Sequence, residues 1–134
     1  QADMPVVEIA LPTQMSAQDI YKIGQTLASL REKQILIIGS GSITHNLREL
    51  AWNGQSSAVP TWASEFRNYV VSQLHHNNYD AVLDWQSLPH VQQNHPSLEH
   101  LVPLFFAMGT GARFNIVHSS FSMGSLGMDI YRFD

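Results

Sequence analysis

Cysteine is missing from all 134 residues, which excludes disulfides and thiolate catalysis and leaves histidine, carboxylates and water as the ligands open to a metal. Charge is sparse as well: seven Lys and Arg stand scattered against eleven Asp and Glu, a formal net charge of -4. That balance gives no basic groove for nucleic acid and no cationic face for an anionic membrane. No apolar run approaches the roughly 20 residues of a membrane-spanning helix, so no membrane partner is expected and the cytoplasm is the default location. The first residue is Gln1 rather than methionine, which leaves any targeting peptide out of view. Internal repeats, low-complexity tracts and interdomain linkers are missing too, and no His-Glu-x-x-His spacing suggests a metallohydrolase.

What is there is enough apolar residue, 44%, to bury the core of one modest domain or of part of one. The chain is organised around residues 35–50, ILIIGSGSITHNLREL. The run 35–38 reads as a strand covered on both faces. Gly39 and Gly41 give a tight exit, Thr44 or Asn46 offers an oxygen to start a helix, and His45 follows the turn. Ligands of open α/β sheets gather at the carboxyl ends of parallel strands, which makes His45 the first candidate for chemistry. A lone histidine beside a glycine turn is otherwise a hydrogen-bonding residue. A nucleotide loop is excluded, because the dinucleotide fingerprint needs glycine where Thr44 stands and no Gly-Lys-Ser/Thr follows.

Upstream, residues 5–11 form a second apolar run, and Ser16 with Asp19 makes a loose capping box for a helix to about Arg31 whose stripe is Ile20, Ile23, Leu27 and Leu30. Strand, helix and strand predict a right-handed βαβ unit. Downstream, the face of Leu47, Leu50 and Ala51 runs to a break at Asn53-Gly54, and a polar loop covers 55–60. Thr61 caps a helix with Trp62, Phe66, Tyr69, Val70 and Leu74 on one side, ending at His75 and His76, which read as solvated residues favouring the helix dipole. A short helix is expected over 80–85. In HPSLEHLVPLFFAMG, residues 95–109, Ser97 is the expected N-cap, Glu99 and His100 fall in the first turn, and Pro103 bends the helix. Adjacent helical residues point about 100° apart, so Glu99 and His100 are not expected to face one site together. Residues 113–118 and 125–133 read as closing strands, with Gly124 and Gly127 marking a bulge or a close backbone approach. The expected architecture is α/β, a mostly parallel central sheet flanked by helices.

GSGSITHNL, followed by HPSLEHLVPLFFAMG and the terminal SFSMGSLGMDIYRF, resembles the LigB-type class III extradiol ring-cleavage dioxygenases, nearest the 4,5-DOPA extradiol subgroup. Three separated motifs occur in the family's order, and the resemblance runs from Met4 to the end. It implies that residues 1–134 are a single partial domain, the carboxyl-terminal half of the catalytic domain. The earlier half, with its own metal-ligating histidine and a His-Gly-Ser-Pro-like motif, is not in this sequence.

The resemblance further implies Fe(II), with Zn(II) as an alternative occupant, and a catechol such as DOPA with O₂ as substrates. His45 is implied as acid/base and, in some members, as a residue at the metal; His100 is implied as a metal ligand. Glu99 is a lesser, supporting candidate. Ser42, His95 and His118, with Ser40, are candidate polar contacts to the substrate, although capping or core satisfaction explains each equally well. Expected partners are the missing amino-terminal half or a second copy. The competing reading is a non-catalytic interaction module of the same fold that has lost its metal and associates through an unpaired sheet surface.

Overall fold

A computed structural model of the chain describes residues 3–12, 14–52 and 58–134. The expected break at Asn53-Gly54 and the first part of the loop 55–60 lie outside those residues.

Helix α1, Ala17–Leu27, begins as its sequence predicts. The Ser16 hydroxyl oxygen accepts the Asp19 N–H at 3.1 Å and donates to the Asp19 carboxylate at 2.7 Å. The helix tightens into a 3-10 stretch, Ala28–Lys33, that Gln34 ends in the left-handed region at φ 61°. Helix α2, Thr61–His75, buries Ala63, Phe66, Val70 and Leu74. Its N-cap is Pro60 rather than Thr61, and no side chain caps it. Helices α3, Tyr79–Leu83, and α4, Val91–Asn94, are short.

Helix α5, Val102–Gly109, starts later than expected and packs against α1. Pro103 sits in its opening turn, where a missing N–H costs nothing, so it starts the helix instead of bending it. Glu99 and His100 consequently lie in the turn before the helix. The helical argument that kept them apart does not apply there. The core gathers Ile20, Phe66, Leu74, Leu101, Phe105 and Met108, all nearly inaccessible to water.

The mostly parallel sheet is not observed among the described residues, whose ladders are small and antiparallel. Strand β1, Phe114–His118, pairs antiparallel with β4, Ile130–Phe133, and β2, Phe121–Ser122, pairs antiparallel with β3, Leu126–Gly127. The expected strand 125–133 is therefore two short strands in two different ladders. Both runs meant for the βαβ unit, 5–11 and 35–38, form no ladder and leave Val6, Val7, Leu36 and Ile38 exposed. A strand exists only when a neighbour lies about 4.8 Å away to exchange hydrogen bonds. Apolar composition prepares such a run for burial and cannot supply that neighbour.

The region after His45 also differs. A single 3-10 turn, Leu47–Glu49, replaces the expected helical face. Of the two candidates to cap it, Asn46 does so, accepting the Arg48 N–H at 3.1 Å.

Candidate active site

The backbone of the glycine turn lies directly on the turn that carries His100. The Ser42 N–H donates to the His100 carbonyl at 2.9 Å. Gly41 is required by this approach, because a Cβ there would stand 2.4 Å from the same carbonyl oxygen. The need is for proximity rather than for a special dihedral angle.

A second set of bonds fixes the turn from behind. The Thr44 hydroxyl, fully buried, donates to the Ser125 carbonyl and accepts the Gly127 N–H, each at 2.7 Å. Gly127 is the close backbone approach expected there, since a Cβ would lie 2.5 Å from Ile43. The Ser42 hydroxyl faces the Thr44 and Gly127 carbonyls at 2.9 Å each. The His45 N–H donates to the Asn94 carbonyl at 3.1 Å. The loop is thus held between the β2–β3 hairpin and the end of α4.

These restraints bring His45 and His100 face to face, with ring centroids 3.5 Å apart and planes 13° from parallel. Partial burial lowers the pKa of His45 below the usual histidine value, and the neighbouring His100 lowers it further. A neutral imidazole, with its lone pair free, is the form that binds a metal or takes a proton. Glu99 lies with its carboxylate 3.7 Å from His100 Nδ1. The Ser97 hydroxyl donates to that carboxylate at 2.7 Å, and this bond lowers the Glu99 pKa.

The remaining candidates fall elsewhere. His95 is 2% exposed and belongs to the core; its Nε2 meets the Ile43 carbonyl at 2.9 Å and its ring faces Phe66. In this position it supports the loop from beneath and presents no open surface to a substrate. Burial pushes its pKa down to about 4. Ser42 lines a cavity, with its hydroxyl engaged as described. Its neighbour Ser40 lines the same cavity. His118 is exposed at the end of β1, bonded to the Ser120 hydroxyl at 2.8 Å, and does not line that cavity. His75 is exposed, as expected, and its ring stands edge-on to Phe114 at 4.8 Å.

Residues not singled out in the sequence complete the support. Arg67 on α2 pairs with Asp129 at 2.8 Å, the Asp129 side chain being 1% exposed, and Arg67 also bonds Ser119. Burial raises the pKa of the adjacent Tyr131, as does the Asp129 charge. Nothing in the local sequence pairs Arg67 with a residue 62 positions away.

Imidazoles suit iron or zinc, so His45 and His100 are donors of the right kind. Among the described residues no cluster of three His, Cys, Asp or Glu could hold a metal.

The glycine-turn histidine thus faces the helix-entry histidine on a body of helices and short antiparallel ladders. Comparison with known proteins gives the family. The family model described as the catalytic LigB subunit of aromatic ring-opening dioxygenase matches residues 2–134, and the chain belongs to that family. It is 32% identical over 99% of its length to the 4,5-DOPA dioxygenase extradiol of Beta vulgaris, covering 50% of that protein. It is 30% identical over 95% of its length to the 4,5-DOPA dioxygenase extradiol of Escherichia coli K12, covering 49%. A crystal structure of an uncharacterized protein from Escherichia coli K12 superposes with a TM-score of 0.82 at 27% identity, over 92% of this chain and 53% of the other. The chain spans about half the length of the relatives it matches.

Proposed function

We propose that this chain forms the carboxyl-terminal half of a metal-dependent extradiol dioxygenase that opens the ring of a catechol of the DOPA type. The observation that carries this reading is the stacked His45–His100 pair at the rim of the fold. His100 is the nitrogen donor this half would give to a metal, Fe(II) by preference or Zn(II) as an occupant, with His45 beside it and further ligands from the other half of the family fold. A ferrous ion, when bound, would act as a Lewis acid that gathers catechol and dioxygen at neighbouring open positions.

The chain's own residues have three tasks in this scheme. His100 is held as a ligand by its backbone bond to Ser42. His45, kept neutral, accepts a proton from a catechol hydroxyl at its free ring nitrogen and returns it later in the reaction. Glu99 orients the His100 ring from 3.7 Å. Ser42 and His95 act on the loop that bears His45, and His118 contributes from the surface only to a substrate that extends past β1.

In the assembled protein, anaerobic Fe(II) loading followed by catechol and O₂ should give a yellow ring-opened semialdehyde. His45→Ala should abolish the colour while iron content stays near that of wild type, and undiminished colour would refute the acid/base role. If iron is lost instead, His45 is a ligand first. Full metal content in His100→Ala would refute its assignment. A non-catalytic interaction module of the same fold is the second reading, favoured by the exposed apolar side chains of Leu36 and Ile38. An assembled protein that takes up no iron under these conditions would favour it.

A further inference from the structure

Helix α4 is one turn long, too short to hold its shape by its own hydrogen bonds. It starts after His90, which stands in the left-handed region at φ 55° without being glycine. Its last carbonyls have no partner inside the helix and are taken up by the loop that carries His45. The Gln93 carbonyl accepts from Asn46 Nδ2 at 2.7 Å, and the Asn94 carbonyl accepts the His45 N–H at 3.1 Å. His95, the next residue, reaches the Ile43 carbonyl. The loop therefore rests on the end of α4, and whatever fixes α4 fixes the loop. The anchor is the fully buried Asn94 side chain, whose Nδ2 donates to the Trp62 carbonyl of α2 at 3.2 Å and to the His90 carbonyl at 3.0 Å. Both partners are acceptors, so the nitrogen rather than the oxygen faces them, and both of its protons are used. A leucine would fill the same space. Only the amide joins the start of α4, its end and α2 into one unit.

We propose that Asn94 is a positioning residue for His45, fixing where that imidazole lies over His100. The inference rests on the reading of His45 as the acid/base group and adds the residue that places it. Among the described residues the His45 ring meets His100 by stacking and takes no hydrogen bond from another side chain, so its place is set by its backbone. That backbone has two supports. On one side Thr44 ties it to the β2–β3 hairpin, and on the other the His45 N–H is tied to Asn94. With the second support loosened, the loop keeps its hairpin bonds and turns about Thr44, and the ring slides off its partner. A displacement of about 1 Å is enough to lower a rate about a hundredfold, because proton transfer needs donor and acceptor within hydrogen-bond reach.

The test uses Asn94→Leu, which keeps the space filled, and Asn94→Thr, whose hydroxyl can still bond the His90 carbonyl one turn back but cannot reach Trp62. In the assembled protein, free of metal and isotope-labelled at histidine, NMR should show cross-relaxation between the His45 and His100 rings and the ring-current shifts of stacked imidazoles. Both variants should lose these signals while still unfolding cooperatively, and if Asn94→Leu fails to fold, Asn94→Thr decides alone. Val91→Ala serves as the control: it opens a gap on the buried face of the same helix, so it should lower the Tm and leave the ring signals in place. With Fe(II), catechol and O₂, kcat of the Asn94 variants should fall about tenfold to a hundredfold with KM little changed. Ring signals like those of wild type in a folded Asn94 variant would overturn the proposal, and so would an equal loss of them in Val91→Ala. A wild-type protein that turns over no catechol would sink the dioxygenase reading instead, and the ring signals would still decide whether Asn94 places His45.

Discussion

His95 shows how one residue couples the site to solution conditions. Its Nε2–H donates to the Ile43 carbonyl while Nδ1 is buried without a partner, so a second proton has nowhere favourable to go. The folded protein binds that proton less readily than the unfolded chain, whose histidine titrates near 6.5 against about 4 in the fold. The contribution of His95 to stability is thus complete above pH 6.5, shrinks as pH falls toward 4, and levels off below. Integrated over that interval it amounts to about 3 kcal/mol. Urea unfolding at pH 7.5 and pH 4.5 should show the loss, and His95→Gln, which keeps a donor for Ile43, should lose less. An identical pH response in the variant would show that other groups account for acid sensitivity.

At the level of elements, the site depends on two chain segments lying closer than ordinary side chains permit. Gly41→Ala would drive a methyl group into the His100 carbonyl and push the two histidine-bearing turns apart. Zinc or iron binding to the assembled protein should fall by an order of magnitude or more, as for loss of a supporting contact to a metal ligand. Retained affinity would mean that the turns can move without parting the rings. Thr44→Val removes a hydroxyl that serves two backbone groups of the terminal hairpin, at a cost of about 1–3 kcal/mol measured by denaturant unfolding.

Of this arrangement, the glycine turn, His45 and the helix after His100 are legible along the chain, because each is marked by local composition. The place where α5 starts was less legible. Ser97 has the right chemistry for a cap, yet it bonds Glu99, and the helix begins at Val102 with Pro103 in its first turn. Local signals competed there, and packing against α1 decided among them.

Across the whole molecule, the pair Arg67–Asp129 fastens the terminal strands to α2. Removing one charge strands the other in a nearly dry environment, so Asp129→Asn should cost about 2–3 kcal/mol, toward the low end for a buried pair because Arg67 keeps some contact with water. Thermal unfolding would register the change as a lowered Tm. Replacing both residues with apolar ones of similar size should recover part of the loss, and no recovery would mean that the pair does more than neutralise itself. The exposed runs 4–11 and 35–38 belong to the same scale. Their apolar side chains stay in contact with water, and no helix of the described residues is long and apolar enough to cross a membrane.

Sequence alone determined the helices with clean apolar stripes and the absence of thiol chemistry, since these follow from residue types and short spacings, and its motifs carried the resemblance to the family. Tertiary structure decided that the two imidazoles stack, that His95 is sealed beneath them, and that the strand-like runs stand unpaired. Each of those depends on which distant segments come within a few ångströms of one another, and hydrogen bonds, ring contacts and sheet ladders exist only at that distance.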